Sequence, residues 1–190
     1  MKAILALSQK LDRLVARIAF AAGWLFFALT GVILVDVVTR KFGYQIPDFG
    51  STRLQELEGH LHAALFAFWL GFAYIKNAHV RIDVALTSAS PRTLALLELG
   101  GCILLALPFA LIAVFFAFDY AWISFRQNEA SVSASGLPYL FIPKAALAFG
   151  VLLLAVAVVS IMLRTLVFLW GPHELRTRAG FAAYKMGAKQ

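Results

Sequence analysis

The side chains with chemical potential in this 190-residue chain sit in a few tight groups. The densest is Glu56, Glu58, His60 and His62. On a helix Glu56 and His60 share one face and Glu58 and His62 share another, each pair four residues apart. Acids beside imidazoles at that spacing serve proton transfer, metal ligation or ion pairing. Two histidines only two residues apart diverge, whereas metal ligands on one helix converge at spacings of three or four. Ion pairing at a membrane interface, or contact with a partner subunit, is the better reading. Asp36 and Arg40 form a further pair at i,i+4, suited to a local ion pair or a docking contact on a larger membrane protein. His79, Arg81 and Asp83 make a compact charged turn.

The elements that carry these groups are strongly apolar. Ala16–Val35 holds one charge, Arg17, at its start. Leu61–Ile75, Leu99–Phe118 and Ala145–Leu163 contain no Asp, Glu, Lys or Arg. A spanning helix needs roughly 20 predominantly apolar residues. Hydrophobic residues make up 62% of the chain and the mean hydropathy is +0.82, values outside the range of a soluble domain. In lipid a segment must satisfy its own backbone hydrogen bonds, so the spans are helices. Alternating ten-residue segments of a transmembrane barrel are absent from the sequence. The expected fold is all-α and integral to the membrane, one domain over residues 1–190. Its four spans lie near 16–39, 57–76, 94–120 and 144–168. An amphipathic lead-in covers residues 2–15, and a basic tail covers 171–190.

Local signals set the boundaries. Ser90-Pro91 reads as an N-cap followed by proline at the first helical position. Pro108 predicts a kink in the third span. Gly171-Pro172 ends the fourth. Tyr44, Trp122 and Tyr139 suit one membrane interface, and Tyr74 and Trp170 the other. Trp24 and Trp69 lie deeper and face packing or lipid. Cys102, the single cysteine, reads as a small core residue.

Charge sets the orientation. If both termini are cytoplasmic, twelve of the 17 Lys and Arg residues lie inside and five outside, which the positive-inside rule favours. The net charge of +7 is then explained by topology and anionic lipid, so nucleic acid is not an expected partner. The N-terminal segment reads as an uncleaved first span, because its apolar run exceeds a secretory signal core.

Intramembrane ionisable groups are the usual marker of a transport path or proton relay, and the middles of these runs have none. Haem ligation needs histidines on two facing spans, and three of the four spans offer none. No cofactor and no enzymatic activity are expected. The alternatives are a standalone membrane redox or cofactor protein and a subunit of an unrelated complex.

Several stretches resemble the small membrane subunit of tripartite ATP-independent periplasmic (TRAP) transporters. They are Asp36-Val-Val-Thr-Arg40, Gln55-Glu-Leu-Glu58, Asn77-Ala-His-Val-Arg-Ile-Asp83, and Trp122, Glu129, Ser131 and Gly136-Leu-Pro138. Their order and spacing agree over roughly residues 14–170. The resemblance implies a scaffold in a bacterial inner membrane, packed against a large subunit that moves an organic acid with a sodium gradient after a periplasmic binding protein delivers it. It implies that Asp36, Arg40, Glu56 and Arg81 stabilise the complex without touching substrate. Gly23, Gly31, Gly100 and Gly101 are the expected sites of close helix packing.

Overall fold

The computed structural model describes residues 1–44, 46–47, 49–78 and 89–179. Among these the regular structure is entirely helical: α1 (Lys2–Ala22), α2 (Trp24–Lys41), α3 (Ser51–Ile75), α4 (Pro91–Gly101), a π segment (Cys102–Ala106), α5 (Leu107–Arg126), α6 (Phe141–Trp170) and α7 (His173–Ala179). Three continuous stretches are long and apolar enough to cross a membrane: Lys2–Lys41, Pro91–Arg126 and Phe141–Trp170. The apolar part of α3, Leu61–Ile75, has 15 residues, or about 22 Å of helix at 1.5 Å per residue. Its first turns are occupied by Arg53, Glu56, Glu58 and His60.

Several expected boundaries move. The lead-in does not end at residue 15, since α1 continues to Ala22. The interruption falls at Gly23, inside the expected first span. There the Ala19 carbonyl accepts from Gly23 N–H at 3.0 Å and from the Trp69 indole N–H at 2.9 Å. A deep tryptophan thus satisfies its donor on backbone, as an apolar surrounding requires. α6 begins three residues before Lys144, because Pro143 falls in the first turn, where its missing N–H costs nothing. The basic tail is helical at its start: α7 buries Leu175 and Ala179 against Leu5 and Val167. The Ser90 cap is as the sequence predicts, with its hydroxyl accepting from Thr93 N–H at 3.2 Å and Pro91 opening the helix. The disturbance expected from Pro108 takes the form of the π segment just before it. Leu107 N–H donates to the Cys102 carbonyl, a wider loop that accommodates the backbone ahead of the proline ring.

By contact the chain forms two compact units. The described residues of Met1–Arg17, Gly71–Ile112 and Leu152–Gln190 make one. Its apolar clusters join Ala95 and Leu99 to Leu169, and Cys102 to Val158 and Ile161. α1 and α6 meet there through polar groups. Ser8 and Ser160 are fully buried with their hydroxyls 2.9 Å apart. Ser160 also donates to Asp12 at 2.6 Å, and Arg164 pairs with the other Asp12 oxygen. Gly71 of α3 abuts α6, where an added Cβ would lie 2.7 Å from the Leu153 carbonyl oxygen.

Ile18–Leu70 and Ala113–Val151 make the second unit. Here Gly150 of α6 meets Ala67 of α3, and a Cβ on Gly150 would stand 2.5 Å from that backbone. The close-packing glycines are therefore Gly71 and Gly150. Gly31, Gly100 and Gly101 have nothing within 4 Å of an added Cβ, and Gly23 contacts its own turn and Trp69. Composition shows how many small residues a helix has; only its rotation decides which of them meet a neighbouring backbone.

Two outcomes follow for thermal unfolding in detergent. Gly150→Ala lowers stability by about 1–3 kcal/mol, because rigid backbone must move, whereas Gly31→Ala is neutral or stabilising by up to about 1 kcal/mol. Asp12→Ala costs about 1–3 kcal/mol by stranding the partly buried Arg164, and adding Arg164→Leu to it recovers much of the loss.

Candidate functional site: the Glu56 clamp and its loop

The polar groups of the second unit converge where α3 begins. Ser51 is the first residue of α3, and its hydroxyl donates to Asp36 Oδ1 at 2.8 Å. Arg40 Nη2 stands 2.5 Å from Asp36 Oδ2, a charge contact without the angle of a hydrogen bond. Asp36 itself is fully buried. The expected i,i+4 pair therefore exists with one carboxylate out of water, and it ties the end of α2 to the start of α3. An acid facing a helix N-terminus is also favoured by the unpaired amides there.

One turn further on, Glu56 leaves the surface of α3 to hold the connection between α5 and α6. Ser131 donates its hydroxyl to Oε1. Leu137 N–H donates to Oε2 at 2.6 Å. Arg53 adds a bond from Nε to the Ser135 carbonyl at 3.2 Å. The loop is also bonded to itself: Ser131 N–H to the Leu137 carbonyl at 3.0 Å, Ser133 N–H to the Ser131 hydroxyl at 3.1 Å, and Leu140 N–H to the Glu129 carbonyl at 3.0 Å. The last of these closes its neck, which makes it a compact Ω-type loop. Gly136 is required by space, since a Cβ there would lie 2.3 Å from the Ser131 side chain and 2.7 Å from Glu56 Oε1. Asn128 (φ 47°) and Tyr139 (φ 65°) turn the chain in and out through left-handed backbone, a cost for non-glycine residues that persists where surrounding contacts enforce it. At the base Glu129 pairs with Lys144, whose ammonium lies 3.9 Å from the centre of the Tyr120 ring.

The remaining candidates are less engaged. Glu58 has one carboxylate oxygen, Oε1, that is buried without a hydrogen-bond partner among the described residues. His60 is half-buried and close enough for its charge to act on Glu56; His62 is exposed. His79, Arg81 and Asp83 lie outside the described residues. Among the described residues no three His, Cys, Asp or Glu side chains gather as metal ligands would. Glu129, Ser131, Gly136, Lys144 and the Asp12–Arg164 pair are not among the candidates drawn from spacing. Their partners are 15 to 152 residues away in the chain, beyond any local pattern. Glu129, Ser131 and Gly136 do stand among the stretches that carry the resemblance, but nothing there says what they touch.

Electrostatics fit a clamp that holds its acids ionised. The Ser131 hydroxyl, then the Leu137 amide, and then the charges of His60 and Arg53 hold the Glu56 carboxyl below its usual range, against an opposing effect of burial. Hydrogen bonding from Lys144 does the same for Glu129. A lowered folded-state pKa means that the clamp contributes fully above the ordinary carboxylate pKa and is lost as pH falls through the lowered value. The native cysteine is buried, so a fluorophore on Val132→Cys reports the loop selectively. Its mobility is expected to stay low at neutral pH and to rise on acidification below the ordinary carboxylate range. Adding Glu56→Ala, which removes both acceptors of the Ser131 hydroxyl and the Leu137 N–H, leaves the label mobile at every pH.

Comparison with curated proteins and with solved structures returns no match. Among protein families, the one described as tripartite ATP-independent periplasmic transporters, DctQ component, matches residues 29–168. That region contains Asp36, Glu56, Glu129, Ser131 and Gly136, the groups that meet at the clamp and its neighbouring helix start. The match covers well over half of the chain, and this membrane protein belongs to the DctQ family, the small permease component of TRAP transporters.

Proposed function

We propose that the chain is the scaffold subunit of a sodium-coupled transporter in a bacterial inner membrane. It packs against the large elevator-type subunit, and the imported organic acid is delivered by a periplasmic binding protein. It crosses the bilayer four times, α3 contributing the second span, with both termini in the cytoplasm. The loops 42–50 and 127–140 then face the periplasm. Asp36, Arg40, Glu56, Glu58, His60, His79, Arg81 and Asp83 act at the ends of the spans, in depth, register and subunit contact, and none of them binds substrate.

The observation that carries this reading is the contrast between the chain's polar and apolar groups. Asp12, Asp36, Glu56 and Glu129 are each engaged by another group of the same chain. The outward surface is instead rich in large apolar side chains, with Phe20, Trp24, Phe27, Leu104 and Phe115 among the most exposed. Such a surface suits lipid and partner helices. A substrate path for an organic acid would instead show convergent unpaired donors or cations at membrane depth.

Mild-detergent purification of the tagged chain tests the proposal. The expected result is a larger multi-spanning permease retained at about one-to-one. A chain that comes down alone, or with an unrelated complex, overturns it.

A further inference from the structure

The face that α5 turns outward is not uniform. The buried residues of α5 are all small: Ala110, Ala121 and Ser124. Most of its large side chains are exposed, and with the start of α6 they border a groove of about 630 Å³ within the second unit. Phe115, Phe118, Trp122, Phe125 and Phe141 line it, and one charged side chain, Asp119, stands among them. The aromatic wall is already built. Trp122 stacks on Phe125 with ring centres 5.8 Å apart, and Phe125 meets Phe141 edge-on at 5.1 Å. Even so, Trp122 and Phe125 remain 57% and 50% exposed. Asp119 is exposed and makes no hydrogen bond or ion pair with a described residue, unlike Asp12, Asp36, Glu56 and Glu129.

No depth in a bilayer suits both halves of this groove. The apolar run of the third span ends at Phe118. If the hydrocarbon ends there, Phe125 lies seven residues further, about 10 Å along the helix. The headgroup layer is about 5–8 Å thick. The exposed Phe125, and Phe141 against it, then stand at or beyond its outer edge, where lipid chains do not reach. If the hydrocarbon instead extends to Phe125, Asp119 lies about 9 Å inside it with no counter-charge, where an ionised side chain is costly. A helix of another protein answers both demands, with apolar side chains over the aromatic rings and a lysine or arginine level with the carboxylate. A second copy of this chain does not. Copies related by an axis normal to the membrane meet at equal depth, which brings Asp119 toward Asp119. Lys144, whose ammonium lies beside the Tyr120 ring at that level, is already held by Glu129.

We infer that the groove between α5 and the start of α6 docks a membrane helix of the large transporter subunit, with Asp119 pairing a lysine or arginine of that helix. The inference rests on the transporter reading above and adds which face meets the partner and what charge the partner carries there. Once covered, the carboxylate loses its water, and a base at its own level offsets that loss. The pair then fixes the height and rotation of one subunit against the other, as complementary charges fix register across interfaces.

The test uses the chain assembled with its large subunit in membranes. An aromatic photo-crosslinking residue replaces Trp122, and the membranes are illuminated before extraction. The expected result is an adduct with the large subunit. An adduct with lipid alone, or none, in an assembled complex overturns the inference and leaves the transporter reading standing. Failure of the large subunit to assemble with the unsubstituted chain overturns the transporter reading itself. Charge is tested separately. Asp119→Lys should lower the amount of large subunit retained in mild detergent by roughly tenfold or more, because like charges then face each other across the interface. Asp119→Glu should retain it. Replacing one lysine or arginine of the large subunit's membrane helices by glutamate should restore retention with Asp119→Lys and reduce it with the unsubstituted chain. Retention unchanged by Asp119→Lys overturns the role of Asp119. Thermal unfolding of the isolated Asp119→Lys chain separates lost docking from lost folding, and its midpoint should not move. If it falls, the crosslink from position 122 decides the inference without that variant.

Discussion

A carboxylate removed from water must find its counter-charge or its donors within reach, because a lone buried charge is too costly to keep. Four acids of this chain, Asp36 fully buried and Asp12, Glu56 and Glu129 partly so, meet that demand in four ways. Asp12 takes Ser160 and Arg164 from α6. Asp36 takes Arg40 from its own helix and Ser51 from the next. Glu56 takes a hydroxyl and a backbone amide from a distant loop. Glu129 takes Lys144 across the neck of that loop. Each solution joins pieces of chain that helical periodicity cannot join. The apolar segments supply the spans, and these polar contacts set their register within each compact unit.

Apolar packing supplies the complementary constraint. In lipid, burying hydrocarbon against hydrocarbon drives little association, so close approach of backbones matters more. α6 is the most enclosed helix, with 44% of its most apolar window buried against 11% for each of the other two candidate spans. It reaches that enclosure by contact at Gly71 in one unit and at Gly150 in the other. The other apolar stretches keep their aromatic and leucine side chains outward. A surface this apolar suits contact with lipid and with other apolar helices.

The Glu56 clamp shows how one acid at the start of a helix orders a distant connection. Its hydrogen bonds order a loop that would otherwise sample many conformations, at a cost of roughly 1–2 kcal/mol per residue. The scaffold reading follows the same logic: in it the chain contributes the positions of spans in the membrane.

Much of this was written in local sequence. Run length and hydropathy determined that the chain is helical and membrane-embedded, and Ser90-Pro91 and Gly171-Pro172 marked two helix boundaries, because these effects act within a few residues. The pieces that carry the family resemblance, from Asp36 to Pro138, were legible as an ordered set, although nothing in their order says that Glu56 and Ser131 touch. The site was legible only by half: Glu56 stood out as an acid at the start of a span and Ser131 and Leu137 as parts of the resemblance, while no local pattern paired them. Tertiary structure alone decided that α1 is pinned to α6 through Asp12, that Gly71 and Gly150 rather than Gly31 or Gly100 meet a backbone, and that Val132 is held out in water. Those outcomes depend on the rotation of each helix about its axis and on contacts across 75 residues or more, and local periodicity specifies neither.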